Sequence, residues 1–236
     1  MRIVTWIRWA ITGAKPIRES RRSYRQRSLL FLNIVVTTLT VALISSAPVP
    51  WMNEHFYLLS PYLQWHPEVM PHDFTFGNPS GSHWVFNTAV GVLTLFADPV
   101  TVGWIGRLIT WPLLVLGLVR LGSHLGVPRV AASGAIILWV ATGQSLVGRG
   151  WMFLGFEAKV VSYVFLVFAL DWLLRSRPRG AGILLGASFS LHPAVGLVGG
   201  FAAAAGVLAV RWPSRWLWEA AAGIVLFSLP GLLPLL

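Results

Sequence analysis

The chain has no cysteine and very little charge. Without Cys among its 236 residues, a disulfide, a thiolate nucleophile and a cysteine-based metal site are all excluded. Only 11% of the residues are charged and 56% are hydrophobic, whereas an average soluble domain has about 25% charged residues. The 13 Trp and 23 Gly fit membrane helices, in which Trp lies at the interfaces and Gly permits close packing. The composition predicts an integral membrane protein.

Acidic residues are scarcer still. Eight Asp and Glu stand against 18 Lys and Arg, which gives a net charge of +10. Nucleic acid is set aside as a partner because no recognition motif accompanies the positive charge. Eight of the basic residues precede the first apolar run, with Glu19 as the only acid among them. Since basic residues beside a first membrane helix mark the cytoplasmic side, residues 1–28 are interpreted as a cytoplasmic N-terminal segment that contacts membrane lipids.

Apolar runs occupy most of residues 29–236, which we interpret as a transmembrane domain. A helix needs about 20 apolar residues to cross the hydrocarbon core, and Leu29–Ala47 and Val100–Leu121 meet this length. Arginine-rich turns alternate with arginine-poor ones, which places residues 48–84 in an outer loop, periplasmic or extracellular. The pattern predicts an all-α integral membrane protein of a bacterial inner membrane, with about six to eight transmembrane or re-entrant helices. The other apolar runs are His83–Ala97, Val130–Val147, Val160–Leu174 and Trp216–Leu236.

The apolar run Gly180–Val210 holds His192-Pro193 at its middle. Proline removes a helix hydrogen bond and clashes with the preceding turn, so a break is expected there. A single span would place the basic stretch Arg211–Arg215 outside the membrane, against the positive-inside rule. Two short helices that enter and leave from the cytoplasm keep that stretch inside, and this is the interpretation that we favour. Other protein or water must then cover the freed backbone groups.

Five short motifs follow one another along the chain: Asn53-Glu54-His55-Phe56-Tyr57, His72-Asp73, Gly106-Arg107-Leu108, Phe156-Glu157-Ala158-Lys159 and the proline-broken small-residue run Gly182–Gly200. Their order resembles the N-terminal membrane half of GT-C superfamily glycosyltransferases, which include the protein O-mannosyltransferases and the aminoarabinose transferases. Those enzymes carry an acidic pair and a tyrosine after the first helix. Asn53 departs from that pattern, because the family has Asp there, and the family's large C-terminal region has no counterpart in this chain.

The resemblance implies that a sugar moves from a polyprenyl-phosphate donor to an acceptor at the outer membrane face. A carboxylate takes the proton of the attacking hydroxyl as general base, and cations stabilise the leaving phosphate. Glu54 is the expected base, and Asp73 is expected to be a second catalytic acid or a metal ligand. The residues expected to contact substrate are Asn53, Tyr57, Arg107, Arg149, Glu157, Lys159 and His192.

Several roles stay open on the sequence alone. Arg107 lies about 10 Å into its helix, where an arginine needs a phosphate or carboxylate partner or a watery cavity. The histidines of the outer loop lack zinc-site spacing, so no metal ligands are assigned, although a divalent metal remains a possible cofactor. Two further hypotheses for the function stay open. One is a non-catalytic GT-C-like structural subunit bound to other membrane protein subunits, and the other is a transporter or lipid-handling protein that uses the broken helix at Pro193.

Overall fold

The described chain is entirely helical. The computed structural model describes residues 21–72, 83–144, 151–209 and 214–232, and within these ranges it has no β-strand. The all-α prediction is therefore confirmed for this part of the chain. Its nine helices are α1 Arg21–Ile44, α2 Glu54–Trp65, α3 Trp84–Thr94, α4 Pro99–His124, α5 Arg129–Ala141, α6 Ala158–Leu174, α7 Pro178–Leu191, α8 Pro193–Ala209 and α9 Ser214–Leu232.

One described helix, α4, is long and apolar enough to cross a membrane. Its 26 residues correspond to about 39 Å of helix, more than the roughly 30 Å of a hydrocarbon core. Asp98 begins it: its carboxylate accepts from the Thr101 backbone N–H at 3.0 Å and from the Thr101 hydroxyl at 2.6 Å. The apolar part of α1, Ser28–Ile44, is shorter. The count of about six to eight membrane helices stays a prediction.

The outer-loop region predicted for residues 48–84 contains a helix. Helix α2 occupies Glu54–Trp65 and buries one face, including Leu58 and Leu63. The outer-loop prediction came from the distribution of arginines and assigned no helix here; the helix that the structure shows contains Pro61. The helix packs on α3 and α4 and so brings Glu54 against the membrane-length helix.

The chain reverses direction at His192-Pro193, as predicted: α7 ends at Leu191 and α8 begins at Pro193. Helix α7 runs antiparallel to α6, since the Ser162 hydroxyl donates to the Ser188 carbonyl at 2.7 Å while Trp172 lies over Gly180 at the other end. Helix α8 then runs back along α6, because Leu166 contacts Gly199 and the buried Ala203 lies in the same apolar cluster as the C-terminal part of α6. The turn therefore sits at the end of the bundle where α6 begins.

Helices α7 and α9 lie unusually close together. A Cβ placed on Gly182 would stand 2.1 Å from the Ala220 carbonyl oxygen, and one on Gly186 would stand 2.7 Å from that of Ile224. Only glycine permits this approach, as at small-residue interfaces between membrane helices. The Ser190 hydroxyl donates to the Phe227 carbonyl and so fixes the register of the two helices.

The outward faces of several helices are strongly apolar. Side chains that are 70% or more exposed include Phe31 and Leu43 on α1, Leu108 on α4 and Val130 at the start of α5. Soluble monomers rarely expose large contiguous apolar patches. These faces therefore call for an apolar environment or a partner.

Candidate functional site

Glu54 and Arg107 form a fully buried ion pair. Glu54 opens α2, and Arg107 lies in the third turn of α4; both are 0% exposed. Arg107 Nε donates to Glu54 Oε1 at 3.0 Å, and Nη2 donates to Glu54 Oε2. This fork-shaped pairing is the strongest geometry available to an arginine and a carboxylate.

Backbone groups make further hydrogen bonds to both side chains of this pair. The Glu54 carboxylate also accepts from the backbone N–H of Trp51 at 2.9 Å and from that of Phe156 at 2.6 Å. Arg107 donates in addition to the carbonyls of Ala47, at 2.7 Å, and Pro48, at 3.1 Å. The pair thus ties three parts of the chain together: the segment that leads into α2, helix α4, and the segment before α6.

This geometry argues against two roles expected for the pair. The Glu54 carboxylate accepts four hydrogen bonds and has no surface exposed to an acceptor hydroxyl. It is therefore not placed to take a proton from substrate. The sequence left a phosphate or a carboxylate as the partner of Arg107, and the structure shows the Glu54 carboxylate in that place. The paired N–H groups of Arg107 are therefore not available to a phosphate. Both residues hold the fold together.

A second group of ionisable side chains lies at the same end of the bundle. We call Tyr57, His83, Glu157, Lys159 and His192 the polar cluster. The His83 and His192 rings stack with centroids 4.9 Å apart, and the Tyr57 hydroxyl lies 3.5 Å from His83 Nε2. Lys159 Nζ is 2.9 Å from Glu157 Oε2. Four of its members were predicted to bind substrate, and the fold brings them together.

Burial changes the acid–base behaviour of the polar cluster. Burial, with a smaller effect of the Glu157 charge, raises the pKa of Tyr57 to about 12. Burial raises the pKa of Glu157 as well, although the neighbouring Lys159 opposes the rise. Burial, together with the charges of His83 and Lys159, lowers the pKa of His192 to about 4. Near neutral pH the cluster therefore holds a protonated tyrosine, a neutral His192 and a carboxylate with raised proton affinity.

An apolar groove of about 390 Å³ borders the polar cluster. Phe86 lines the groove and also contacts the Tyr57 ring edge-on at 5.8 Å. Two other lining residues, Phe156 and Leu191, directly precede Glu157 and His192 in the chain. The groove therefore ends beside the charged groups. Its remaining lining includes Leu93, Phe96, Ile105 and Ile109 from α3, the turn after it and α4.

The other predicted site residues do not join this arrangement. Asn53 is exposed at the start of α2, and its side chain makes no capping hydrogen bond. Asp73 and Arg149 lie outside the described residues. In the part of the chain that the structure describes, no group of three His, Asp or Glu side chains could hold a metal ion.

Sequence reasoning missed two features. His83 was assigned no role in the site, because nothing local links it to His192, which lies 109 positions further along the chain. The second feature is Asp171, 0% exposed at the opposite end of the bundle, with Arg120, His124 and Arg175 around it. The sequence did carry a sign of this group, because Asp171 is the only acid in the apolar run Val160–Leu174.

Comparison of the chain with protein-family models, with curated proteins and with solved structures gave no match. The resemblance to GT-C glycosyltransferases therefore depends on the order of the sequence motifs, and the proposals below depend on the geometry.

Proposed function

We propose that the chain is an integral membrane protein that binds a polyprenyl-phosphate-linked sugar and transfers the sugar, as a GT-C-type glycosyltransferase or a relative of one. The observation that supports this most is the polar cluster at the end of an apolar groove. An amphiphilic donor needs both surfaces: the groove receives the isoprenoid chain, and the cluster meets the phosphate and sugar. The groove volume falls within the range of roughly 300–1,000 Å³ usual for ligand sites.

The apolar outer faces of α1, α4 and α5 support a membrane location. Arg107 and Arg120, each with a buried acid partner, lie about 20 Å apart along α4. The stretch of α4 between them carries no charged residue. Charges at both ends of an apolar stretch suit a helix that spans a bilayer, with the polar cluster near one interface. By the positive-inside rule that interface is the outer one, opposite the basic N-terminal segment.

Lys159 and Glu157 take the chemical roles in this proposal. Lys159 is partly exposed and makes an ion pair with Glu157. When the ammonium turns to the donor phosphate, Glu157 loses its cation and its proton affinity rises further. The acceptor hydroxyl then attacks the anomeric carbon and gives its proton to the Glu157 carboxylate, while the bond to the phosphate oxygen breaks. The lipid phosphate leaves with the bonding electrons, next to Lys159. Glu157 thereby replaces Glu54 as the expected base.

Two substitutions separate donor binding from transfer. Lys159→Gln should reduce retention of undecaprenyl phosphate by about tenfold in native mass spectrometry, since it removes the charge-assisted contact. Arg179→Gln is the matched control, because Arg179 is 79% exposed and lies at the other end of the bundle. Glu157→Gln should keep the lipid but lose transfer of radiolabelled mannose or aminoarabinose from the polyprenyl-phosphate donor. Equal loss of lipid in the Lys159 and Arg179 variants would contradict the phosphate contact, and full transfer by Glu157→Gln would contradict the base.

One observation favours the second hypothesis, a non-catalytic structural subunit of a larger membrane complex. The positions of the family's acidic pair hold Asn53 and Glu54 in this chain. Glu54, the expected base, is buried in an ion pair with Arg107 that stabilises the fold. In that case the native protein, extracted in mild detergent, would be held among other membrane subunits in fixed ratio, and it would transfer no sugar from either donor.

A further inference from the structure

The apolar layer between the two charged ends of the bundle is thin. Along α4, Arg107 and Arg120 lie about 20 Å apart. Along α6, Lys159 and Asp171 lie about 18 Å apart, and no charged residue stands between the members of either pair. Because Arg120 donates to Asp171 at 2.9 Å, both helices measure the same layer. A typical hydrocarbon core is roughly 30 Å thick, so this layer is about 10 Å too thin to match it.

Helix α5 crosses this layer and presents an apolar face outward, on which Val130 and Leu138 are exposed. Its 13 residues correspond to about 20 Å of helix. Just past its end, the Gln144 side chain accepts from the Phe153 backbone N–H at 2.7 Å, shortly before the chain reaches the polar cluster. The end of α5 therefore lies at the same end of the bundle as the polar cluster, and its apolar face is shorter than an ordinary bilayer requires.

The neighbours of α5 differ in length. Helix α1 lies beside α5, because Asn33 Nδ2 donates to Ser133 Oγ at 2.8 Å, and its apolar part is also short. Helix α4, in contrast, continues past Arg107, and its exposed Val100 lies about 30 Å from Arg120 along the helix. The surface of α4 therefore fits an ordinary bilayer, whereas the surface formed by α1 and α5 fits a thinner one.

We propose that the bundle thins the bilayer along α1 and α5, so that the membrane interface on that side reaches the level of the polar cluster. A short apolar surface is matched by thinning of the bilayer, by snorkelling of flanking side chains or by oligomerisation. Snorkelling needs long charged side chains, but α5 ends in Ala141, Thr142 and Gly143.

Thinning is favoured over a second copy of the chain on α5. A second copy would cover α5 but would leave the polar cluster about 10 Å below the interface, where a partly exposed ammonium such as that of Lys159 is costly. A thinned bilayer gives the same ammonium water. The proposal shares with the proposed function the membrane location, but neither the donor nor the transfer reaction.

Single-cysteine labelling tests this proposal, since the sequence has no cysteine of its own. Ala141→Cys and Ala135→Cys place a thiol at two exposed positions of α5, about 9 Å apart along the helix. In nanodiscs of dioleoylphosphatidylcholine, a charged, water-soluble maleimide should label Ala141→Cys and leave Ala135→Cys unlabelled. Protection of both thiols would mean a bilayer of ordinary thickness or a covering protein, and labelling of both would mean a face in water. Either result would overturn the thinning.

Leu108→Cys is the matched control on α4. Leu108 is exposed and lies directly after Arg107, so it is at the level of the Glu54–Arg107 pair but on the longer side of the bundle. Its thiol should stay unlabelled under the same conditions. Labelling of Leu108→Cys together with Ala141→Cys would show an interface that lies equally low around the whole bundle, and it would overturn thinning confined to α1 and α5.

Bilayer thickness gives a second measurement on the full-length protein. Its unfolding temperature should be highest in dimyristoleoylphosphatidylcholine, lower in the dioleoyl lipid and lowest in the dierucoyl lipid, because a thicker bilayer must be deformed further. An unfolding temperature that stays constant or rises with acyl-chain length would overturn the proposal. Neither experiment contains a polyprenyl donor, whereas the proposed function is tested by retention of undecaprenyl phosphate that depends on Lys159. Failure of one proposal is therefore distinguishable from failure of the other.

Discussion

At the scale of single residues, two buried acids near each other have opposite environments. The Glu54 carboxylate accepts four hydrogen bonds, two of them from Arg107, and these bonds fix its position. Glu157 is 3% exposed and has Lys159 beside it, which under the proposed function would turn to the lipid phosphate. Chemistry requires a group whose proton affinity can change during the reaction, and Glu157 meets that requirement while Glu54 does not.

Glu54→Gln should destabilise the protein by about 3–5 kcal/mol, because it leaves the Arg107 charge buried without a counterion. Chemical or thermal unfolding of the purified protein measures this change. The matched control is Asn53→Ala, an exposed neighbour whose side chain caps nothing, expected within about 0.5 kcal/mol of the native protein. If Glu54→Gln kept full stability and lost only transfer, Glu54 would be a catalytic base after all.

His192 should make stability depend on pH. Its pKa is lowered from 6.5 to about 4 in the fold, so between these values the unfolded chain binds more protons than the folded one. Stability from this group is therefore complete above about pH 6.5 and declines as the pH falls toward 4. The raised pKa of Glu157 acts in the opposite direction over part of that range. The unfolding temperature of the native protein minus that of His192→Asn isolates the histidine, and a difference that does not change with pH would contradict its buried, neutral state.

At the scale of helices, the sequence predicted the features that local chemistry controls. Pro193 breaks the run Gly180–Val210 as predicted, because the effect of proline on a helix acts within one turn. The pairing of Glu54 with Arg107 and the stacking of His83 on His192 join residues that lie far apart in the chain. Such pairings depend on how helices pack, and no local pattern specifies them. Helix α2 was not predicted, because residues 48–84 were assigned as an outer loop from the distribution of arginines alone.

The contact between α7 and α9 gives a prediction at this scale. Gly182→Ala should destabilise the protein by about 1–3 kcal/mol, because its Cβ would overlap the Ala220 carbonyl. Gly206→Ala is the control: no atom lies within 4 Å of its Cβ position in α8, and the substitution should stabilise the helix by up to about 1 kcal/mol. Thermal unfolding should therefore shift in opposite directions for the two variants. Equal shifts would contradict the close approach of α7 and α9.

At the scale of the whole molecule, charge is concentrated at the two ends of an apolar bundle. One end holds the polar cluster and the saturated Glu54–Arg107 pair, and the other holds Asp171 with its arginines. Under the proposed function the first end meets the lipid-linked sugar, because phosphate groups lie at the interfaces of a membrane and not at its centre.

The most direct test of the central claim is photo-crosslinking with a polyprenyl phosphate that carries a diazirine in its first isoprene units, followed by peptide mapping. If the groove binds the donor, adducts should form on groove residues such as Leu93, Ile105 and Ile109 and should be lost when unlabelled undecaprenyl phosphate competes. Adducts spread instead over the outward faces of α1 and α5, without competition, would show that the chain only touches bulk lipid and would contradict donor binding.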